Sequence, residues 1–231
     1  MDELKDIYLL SIETSQKVGS VAIHKNNELL ASHTLYTEKS ASSLLTPQIE
    51  QILSNCDLKP SELSAIAVAK GPGSYTGLRI AVSTAKGLCV AIDKPLISVN
   101  TLEAMACQIS PFFPKHYLLC PMLDARRMEV YCMILNQNLE IVEKTHAKII
   151  DEGSFSELLD KNIVVFFGDG AAKCKTALSQ NKNAIFLERA IFPNAEKVGE
   201  LAVKKFEKQQ FENLVTFEPY YLKEFIGTVP K

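Results

Sequence analysis

Several signals of specialised chemistry are absent from this sequence. It contains no C-x-x-C pair, so neither a zinc knuckle nor a thioredoxin-type site is indicated. Its 25 lysines and arginines do not exceed its 27 aspartates and glutamates, whereas a dedicated nucleic-acid-binding protein usually shows a basic excess. No run approaches the roughly 18 apolar residues that a membrane span needs. The start, MDELKDIYLL, lacks the basic residues and the long apolar stretch of a signal peptide. We therefore expect a cytoplasmic protein without a membrane-bound part.

Histidines are few, and their spacing does not indicate a metal site. No two of the four are separated by the i, i+4 spacing that places a pair of ligands on one helix face. We expect them to be ordinary surface or strand-end residues: His24, His33, His116 and His146. Most of the six cysteines lie in apolar runs, which indicates small buried thiols rather than disulfides.

The hydrophobic pattern predicts the same order of elements twice. In the first half, strands are predicted at 7–12, 18–23 and 28–36, a helix at 44–53, a strand at 63–69, a helix at 76–91, a strand at 95–99 and a helix at 101–109. The second half predicts strands at 116–123, 129–135 and 140–149, a helix at 154–160, a strand at 163–167, a helix at 171–180, a strand at 184–187 and a helix at 194–209. Glu13 and Asp124 occupy equivalent places in the two halves.

This repeat, at a spacing of roughly 110 residues, indicates two duplicated lobes rather than a solenoid. The order resembles the fold of actin, the sugar kinases and acetate kinase. We therefore predict an α/β protein with an actin-like, sugar-kinase-like duplicated fold, in which each lobe has a mixed sheet flanked by helices. The lobes would comprise residues 1–110 and 111–231. An α/β protein with a mixed sheet of another topology is the alternative.

The segment KGPGSYTGLRIAVSTAKG, residues 70–87, follows a predicted strand and opens a helix. Gly71, Gly73 and Gly77 let the backbone turn sharply, and Ser74 or Thr76 can cap the helix. Free N–H groups at such a helix start can hold an anion. The segment is not a Walker loop, because no Gly-Lys-Ser/Thr closes it. A tight turn without any ligand is an equally good interpretation.

Four strings in this sequence resemble the TsaB family. GPGSYTGLRIAVSTAKGL is similar to the family's signature. LLSIETSQKVGSVAI resembles its first hairpin, SVNTLEAMA a later helix, and MLDARRMEVYC its Asp-Ala-Arg-Arg hairpin. The match is specific from about residue 7 to residue 131, and only fragments such as PYYLK persist beyond it.

The resemblance implies a non-catalytic subunit that activates TsaD and acts with the small ATPase TsaE in threonylcarbamoylation of adenosine 37 in ANN-decoding tRNAs. It implies a heterodimer with TsaD, a homodimer when TsaD is absent, and contact with tRNA only through the complex. No cofactor of its own is expected, and ATP and Mg²⁺ would bind only in the complex with TsaD and TsaE. The contact would use helices 44–55 and 76–91. Candidate exposed interface residues are Leu45, Gln48, Ile49, Ile52, Arg79, Val82, Ser83 and Lys86; core burial is an equally good interpretation of the apolar ones.

An enzyme of this fold needs carboxylates for Mg²⁺ and glycine-rich turns that let phosphates approach the backbone. Glu13 and Asp124 stand where the carboxylates would, but the turn after Asp124 contains Arg126 and Arg127 and no glycine. The arginines could pair with Glu13, with phosphate or with a partner's acids. The helix at 44–53 also lacks the two histidines that the resemblance implies for TsaD.

Two other functions are alternatives. One is a small-molecule kinase or ATPase of the same fold. The other, a peptidase, has less support: Gly-Ser-Tyr-Thr-Gly around Ser74 is not a Gly-x-Ser-x-Gly elbow, and no histidine is indicated near it.

Overall fold

The computed structural model describes residues 6–37 and 40–223, which form two five-stranded sheets. The first sheet contains β1 (Tyr8–Glu13), β2 (Gly19–Lys25), β3 (Glu28–Leu35), β4 (Ala65–Gly71) and β5 (Leu96–Asn100). The second contains β6 (Tyr117–Asp124), β7 (Glu129–Leu135), β8 (Ile141–Ile149), β9 (Ile163–Phe167) and β10 (Ala184–Phe186). The predicted elements are therefore confirmed, with ends shifted by a few residues.

The two sheets have the same topology. Their strand orders are β3-β2-β1-β4-β5 and β10-β9-β6-β7-β8, which correspond position by position when the second is read backwards. In each sheet the first three strands form an antiparallel meander, and the remaining two strands pair in parallel. The duplication predicted from the order of elements is confirmed in three dimensions.

Helices cover both faces of each sheet because every sheet face is largely apolar. The helices are α1 (Ser40–Asn55), α2 (Tyr75–Ile92), α3 (Thr101–Ile109), α4 (Ser156–Leu159), α5 (Ala171–Leu178) and α6 (Ala195–Glu207). Helices α1 and α2 pack on one face of the first sheet. Helix α6, with part of α3, covers its other face. The second sheet lies between α3 on one side and α4 with α5 on the other.

Helix α6 corrects the predicted division at residue 110. All five strands of the second sheet follow residue 110, but α6, which follows them, belongs by packing to the first lobe, where Val198, Ala202 and Val203 lie against Leu9 and Ile97. The sequence pattern identifies α6 as an amphipathic helix, but it does not indicate which sheet the apolar face of α6 will cover. The chain therefore returns to the first lobe after completing the second.

No helix within residues 6–37 and 40–223 is long and apolar enough to cross a lipid bilayer.

Candidate functional site

The glycine turn, residues 71–77, connects β4 to α2. Ser74 is the N-cap of the helix, and its hydroxyl accepts a hydrogen bond from the Gly77 N–H at 3.3 Å. Gly71 has a φ of +115°, a backbone conformation that favours glycine. The predicted cap is therefore confirmed for Ser74, whereas Thr76 is an exposed residue in the first turn of the helix.

The space around the glycine turn is filled by the protein's own backbone. A β-carbon on Gly73 would lie 2.5 Å from the Ser15 carbonyl oxygen, and one on Gly77 would lie 2.0 Å from the Thr14 carbonyl oxygen. The Ser74 N–H donates to the Ser15 carbonyl at 2.6 Å, and the Thr14 hydroxyl donates to the Gly77 carbonyl at 2.7 Å. The glycines are thus explained by close packing against the end of β1, and no ligand is needed to account for them.

The second lobe repeats this arrangement. Gly168 and Gly170 follow β9 as the glycine turn follows β4, and they lie against the end of β6. A β-carbon on Gly168 would lie 2.3 Å from the Met122 carbonyl oxygen. Asp169, which the sequence analysis did not single out, accepts a hydrogen bond from the Asp124 N–H at 3.1 Å. The sequence feature that could have identified Asp169 is its position between Gly168 and Gly170, in the turn that corresponds to the glycine turn of the first lobe.

Glu13 lies at the end of β1 and is fully buried. Its Oε1 accepts a hydrogen bond from the Ser15 N–H at 2.5 Å, while Oε2 has no partner among the described residues. Burial raises the pKa of this carboxyl group to about 7, although the hydrogen bonds from Ser15 act in the opposite direction. Glu13 is therefore largely protonated in mildly acidic solution.

Asp124 differs from Glu13 because it is exposed and one of its oxygens, Oδ1, has two hydrogen-bond partners. Its Oδ1 accepts hydrogen bonds from Lys173 Nζ at 2.5 Å and from the Arg126 N–H at 2.8 Å. Partial burial acts to raise the pKa of this carboxyl group, but these hydrogen bonds prevail and lower it. Glu13 and Asp124, the two carboxylates at equivalent positions of the two lobes, thus have different surroundings. The hydrogen-bond partners of each carboxylate come from its own lobe.

Arg126 and Arg127 form the tip of the β6–β7 hairpin. Their φ angles are 71° and 49°, so two consecutive non-glycine residues adopt the left-handed conformation. Both side chains are exposed, and no ion pair joins either of them to Glu13 within the described ranges. This turn contains no glycine, and among residues 6–37 and 40–223 neither guanidinium group at its surface has an ion-pair partner.

The structure corrects the predicted exposure of four interface candidates. Leu45, Ile49, Ile52 and Val82 are at most 4% exposed and lie in the core between the first sheet and its two outer helices. The apolar stripe on each helix is the face that packs on the sheet, so these side chains do not present an external surface.

The four polar candidates have a different environment. Arg79 and Ser83 are exposed, whereas Gln48 and Lys86 are half-buried. The Arg79 guanidinium lies 4.2 Å from the centre of the Tyr75 ring, and its Nε donates to the Tyr221 hydroxyl at 3.1 Å. Lys86 Nζ donates to the Phe217 carbonyl at 3.0 Å. Arg79 and Ser83 therefore remain candidates for an outer face, whereas Gln48 and Lys86 are only partly accessible.

That outer face is best described as the α2 stripe, which we define as Thr76, Arg79, Ser83, Gly87 and Val90. All five are exposed, and their spacing of three or four residues puts them on one side of the helix. Val90 is 71% exposed. A β-carbon on Gly87 would meet nothing within 4 Å among residues 6–37 and 40–223, so packing against this part of the chain does not explain a glycine at this position.

A C-terminal strap, residues 210–223, runs along the flank of α2 and ends at the second lobe. Leu214 and Phe217 pack against the core of the first lobe. The Tyr220 N–H donates to the Lys70 carbonyl at 2.7 Å, and a β-carbon on Gly71 would lie 2.8 Å from the Tyr220 carbonyl oxygen. Lys223 then forms an ion pair with Glu129 at the β6–β7 hairpin. The strap thereby packs against the start of the glycine turn, at Gly71.

Within residues 6–37 and 40–223, no three histidine, cysteine, aspartate or glutamate side chains are grouped as metal ligands.

Comparison with known proteins identifies relatives along most of the chain. The family model described as TsaD: tRNA N6-adenosine threonylcarbamoyltransferase matches residues 33–226. Several curated relatives carry the name tRNA threonylcarbamoyladenosine biosynthesis protein TsaB, including the following three. The Bacillus subtilis protein is 38% identical over 53% of this chain, and the match spans only about half of that relative, 52%. The protein of Buchnera aphidicola from Acyrthosiphon pisum is 30% identical over 82% of this chain and 86% of its own length. The Haemophilus influenzae protein is 27% identical over 95% of each.

Solved structures show the same fold. YeaZ from Pseudomonas aeruginosa has a TM-score of 0.79 at 24% identity, over 94% of this chain and 100% of that protein. An activator of 2-hydroxyisocaproyl-CoA dehydratase from Clostridium difficile, solved with bound ADPNP, has a TM-score of 0.50 at 10% identity, over 88% of this chain and 97% of that protein. Among the curated sequence relatives there is also a protein named tRNA N6-adenosine threonylcarbamoyltransferase, from Staphylococcus aureus strain Newman. It is 33% identical over 42% of this chain and 33% of its own length. The predicted actin-like, sugar-kinase-like fold class is confirmed.

Proposed function

The chain belongs to the TsaB family of tRNA threonylcarbamoyladenosine biosynthesis proteins, and from that premise we propose that it is an accessory, non-catalytic subunit. It acts in the cytoplasm with TsaD and TsaE, and threonylcarbamoylation of adenosine 37 in ANN-decoding tRNAs requires it. It contacts tRNA only through the assembled complex, and it forms a heterodimer with TsaD.

The observation that carries this proposal is the α2 stripe. Gly87 makes the helix less stable than alanine would, by about 1 kcal/mol, and no packing contact in the described part of the chain requires a glycine there. Close approach of a helix from another protein is a physical reason for a small residue at such a position. Ser83, one turn earlier, is also small, and Val90 supplies apolar area that a partner would bury.

TsaD is the partner that best fits this surface, because it resembles this chain. The Staphylococcus aureus relative that carries the transferase name aligns with 42% of the chain. Two related proteins can place equivalent helices against each other across a pseudo-twofold axis. The same stripe then serves for self-association when TsaD is absent, since an isologous dimer uses one patch twice.

The contacts around the glycine turn support an accessory role rather than a catalytic one. An ATP–Mg²⁺ site needs open backbone beside the phosphates and carboxylates free to bind the cation. Here Thr14, Ser15 and Tyr220 lie against the glycines, and Asp124 is engaged by Lys173. These residues do not fit an ATP–Mg²⁺ site. We therefore assign ATP and Mg²⁺ to the complex with TsaD and TsaE, where the family's chemistry takes place.

The test is association with TsaD, measured by titration calorimetry with variants on the α2 stripe. Ser83→Arg places a long charged side chain on an exposed position, so the chain should fold normally while the affinity for TsaD falls at least about tenfold. Ser179→Arg is the matched control, because Ser179 is an exposed serine at the end of α5 in the other lobe. It should bind TsaD like the unaltered chain.

Unchanged affinity of a folded Ser83→Arg variant would refute the α2 stripe as the contact. The alternative kinase or ATPase function predicts nucleotide turnover by the purified chain alone, and the alternative peptidase function predicts cleavage of unfolded proteins. We expect neither activity.

A further inference from the structure

A cysteine and a histidine face each other directly across the outer strands of the second sheet. Cys132 on β7 and His146 on β8 are register partners. Their side chains meet, with Cys132 Sγ 3.7 Å from His146 Nε2. This distance lies within hydrogen-bonding range for sulfur. Neither residue belongs to the glycine turn or to the α2 stripe.

The histidine ring is held in the orientation that such a pair requires. His146 Nδ1 lies 2.8 Å from the Lys144 carbonyl oxygen, which accepts hydrogen bonds only. Nδ1 must therefore carry a proton, and Nε2 is left to exchange a proton with the sulfur. A nucleophile, a base within reach of it and a third group that orients the base are the features of an activated thiol.

Neighbouring groups favour the charged form of this sulfur. The largest influence is a hydrogen bond from Cys120, which lowers the pKa of the Cys132 thiol. Burial opposes this effect, whereas His146 and Lys148 lower the pKa further. Cys120 lies diagonally across the β6–β7 pair and packs in the same core cluster. The contact with Cys132 in turn raises the pKa of His146 against the effect of burial.

The other thiols and charges nearby do not compete for this role. Burial raises the pKa of Cys174, on α5, to about 11, and its Sγ donates instead to the Gly170 carbonyl at 3.2 Å. Burial also raises the pKa of Cys120 well above its usual range. Glu143, on β8, acts electrostatically on Cys120 and His146, where it favours the protonated histidine. Lys148, whose ammonium lies 4.8 Å from the centre of the Phe155 ring, is the second cation near Cys132.

The position of the pair limits which reactants reach it. The Cys132 side chain is fully buried, whereas His146 is half-buried on β8, the edge strand of the sheet. The β7–β8 pairing is irregular immediately after Cys132, so the ladder is weakened beside the pair. Local opening of an edge strand at such a point admits a small reactant and excludes a large one.

We propose that Cys132 and His146 form a thiolate–imidazolium pair that makes Cys132 the oxidant-sensitive thiol of this protein, with hydrogen peroxide as its reactant. The thiolate sulfur attacks one peroxide oxygen, and an S–O bond forms as the O–O bond breaks. The departing hydroxide takes the proton from His146 Nε2 and leaves as water. Sulfur is oxidised by two electrons to sulfenic acid, the peroxide is reduced, and the histidine becomes neutral.

The test follows all six cysteines of the full-length chain after addition of hydrogen peroxide at pH 7. At each time point the reaction is quenched, the chain is unfolded, and the remaining free thiols are alkylated and quantified by mass spectrometry. This readout registers the loss of a thiol whatever oxidised product it becomes. We expect Cys132 to be lost at least about tenfold faster than Cys174, which is buried in the same lobe, because the thiolate is the reacting form.

Two further measurements separate activation by His146 from simple exposure. His146→Gln should lower the rate at Cys132 at least about threefold, because it removes the base while leaving Cys120 and Lys148 in place, and an unchanged rate would overturn the role of His146. His116→Gln, an exposed control in the same lobe, should change nothing. The second measurement is the pH dependence of thiol loss at Cys132 in the unaltered chain. The rate should reach half of its maximum well below pH 8.5, the usual pKa of a free thiol. A half-maximum at or above pH 8.5, or equal rates at Cys132 and Cys174, would overturn the proposal.

Discussion

Substituting alanine for Gly87 should make the isolated chain more stable while making it a poorer partner. The residue lies inside α2, its φ is not in the left-handed region, and an added β-carbon meets nothing within 4 Å. The substitution therefore has no steric cost in the free chain. Alanine is favoured over glycine in a helix by about 1 kcal/mol, so the free energy of unfolding should rise by about that amount. For a chain of this size the melting temperature should rise by about 2–4 °C.

The effect on partner binding should have the opposite sign. If a TsaD helix packs against Gly87, the added methyl group enters a closely packed contact, where overpacking typically costs about 1–3 kcal/mol. The dissociation constant should therefore rise by about 5- to 150-fold, measured by titration calorimetry beside urea unfolding of the chain alone. Gly153→Ala is the matched control: it lies in the other lobe, and its β-carbon would meet only Asp151 Oδ1, at 3.7 Å. It should leave the affinity unchanged.

Two results would refute this reasoning. A lower stability of the Gly87→Ala chain would show that the glycine serves the fold itself. Unchanged affinity for TsaD would show that no helix approaches this position.

Three other substitutions test the internal contacts by urea unfolding. Gly77→Ala should lower the free energy of unfolding by about 2 kcal/mol or more, because its β-carbon would lie 2.0 Å from the Thr14 carbonyl oxygen. Val82→Ala should cost about 1–2 kcal/mol through lost burial, while the folded variant binds TsaD normally. Glu13→Gln should remove a pH dependence. Since burial raises the pKa of Glu13 from 4.5 to about 7, the folded state holds a proton that the unfolded state releases, and stability falls by about 3 kcal/mol as pH rises from 4.5 through 7.

Each of these outcomes has a clear contrary. A Gly77→Ala chain of normal stability would mean that the glycine turn is not held against β1. Weakened TsaD binding by a folded Val82→Ala chain would show that Val82 contributes to the contact with TsaD. A Glu13→Gln chain that differs from the unaltered chain equally at pH 5 and pH 8 would mean that Glu13 titrates normally in the fold.

The fold was predictable because local patterns and duplication agree. Alternating and helical periodicities identified the order of the strands and helices, and the equivalence of Glu13 and Asp124 aligned the two halves. The packing partner of α6 was not predictable in this way. An amphipathic helix carries a signal for its buried face but none for the sheet that will cover it. This choice depends on contacts of Val198 with strands such as β1, where Leu9 is nearly 200 residues earlier in the chain.

Four of the eight interface candidates, which were predicted to be exposed, are buried, and this failure has one cause. The stripe of Leu45, Ile49 and Ile52 has the spacing of a helix face, and the sequence does not say whether that face meets its own sheet or another protein. In a chain with an apolar sheet to cover, its own sheet has priority. Gly87 carried the better signal for an outer contact, because glycine inside a helix needs an explanation. The pairing of Cys132 with His146 depends on strand register, which single-residue patterns do not report.

The accessory role is tested most directly by reconstituting threonylcarbamoylation of tRNA from purified TsaD and TsaE, with and without this chain. We predict that the modified nucleoside forms only when all three proteins are present, and that the Ser83→Arg chain fails to support it while the Ser179→Arg chain succeeds. Formation of the modified nucleoside by TsaD and TsaE alone at the rate of the complete mixture would contradict the account.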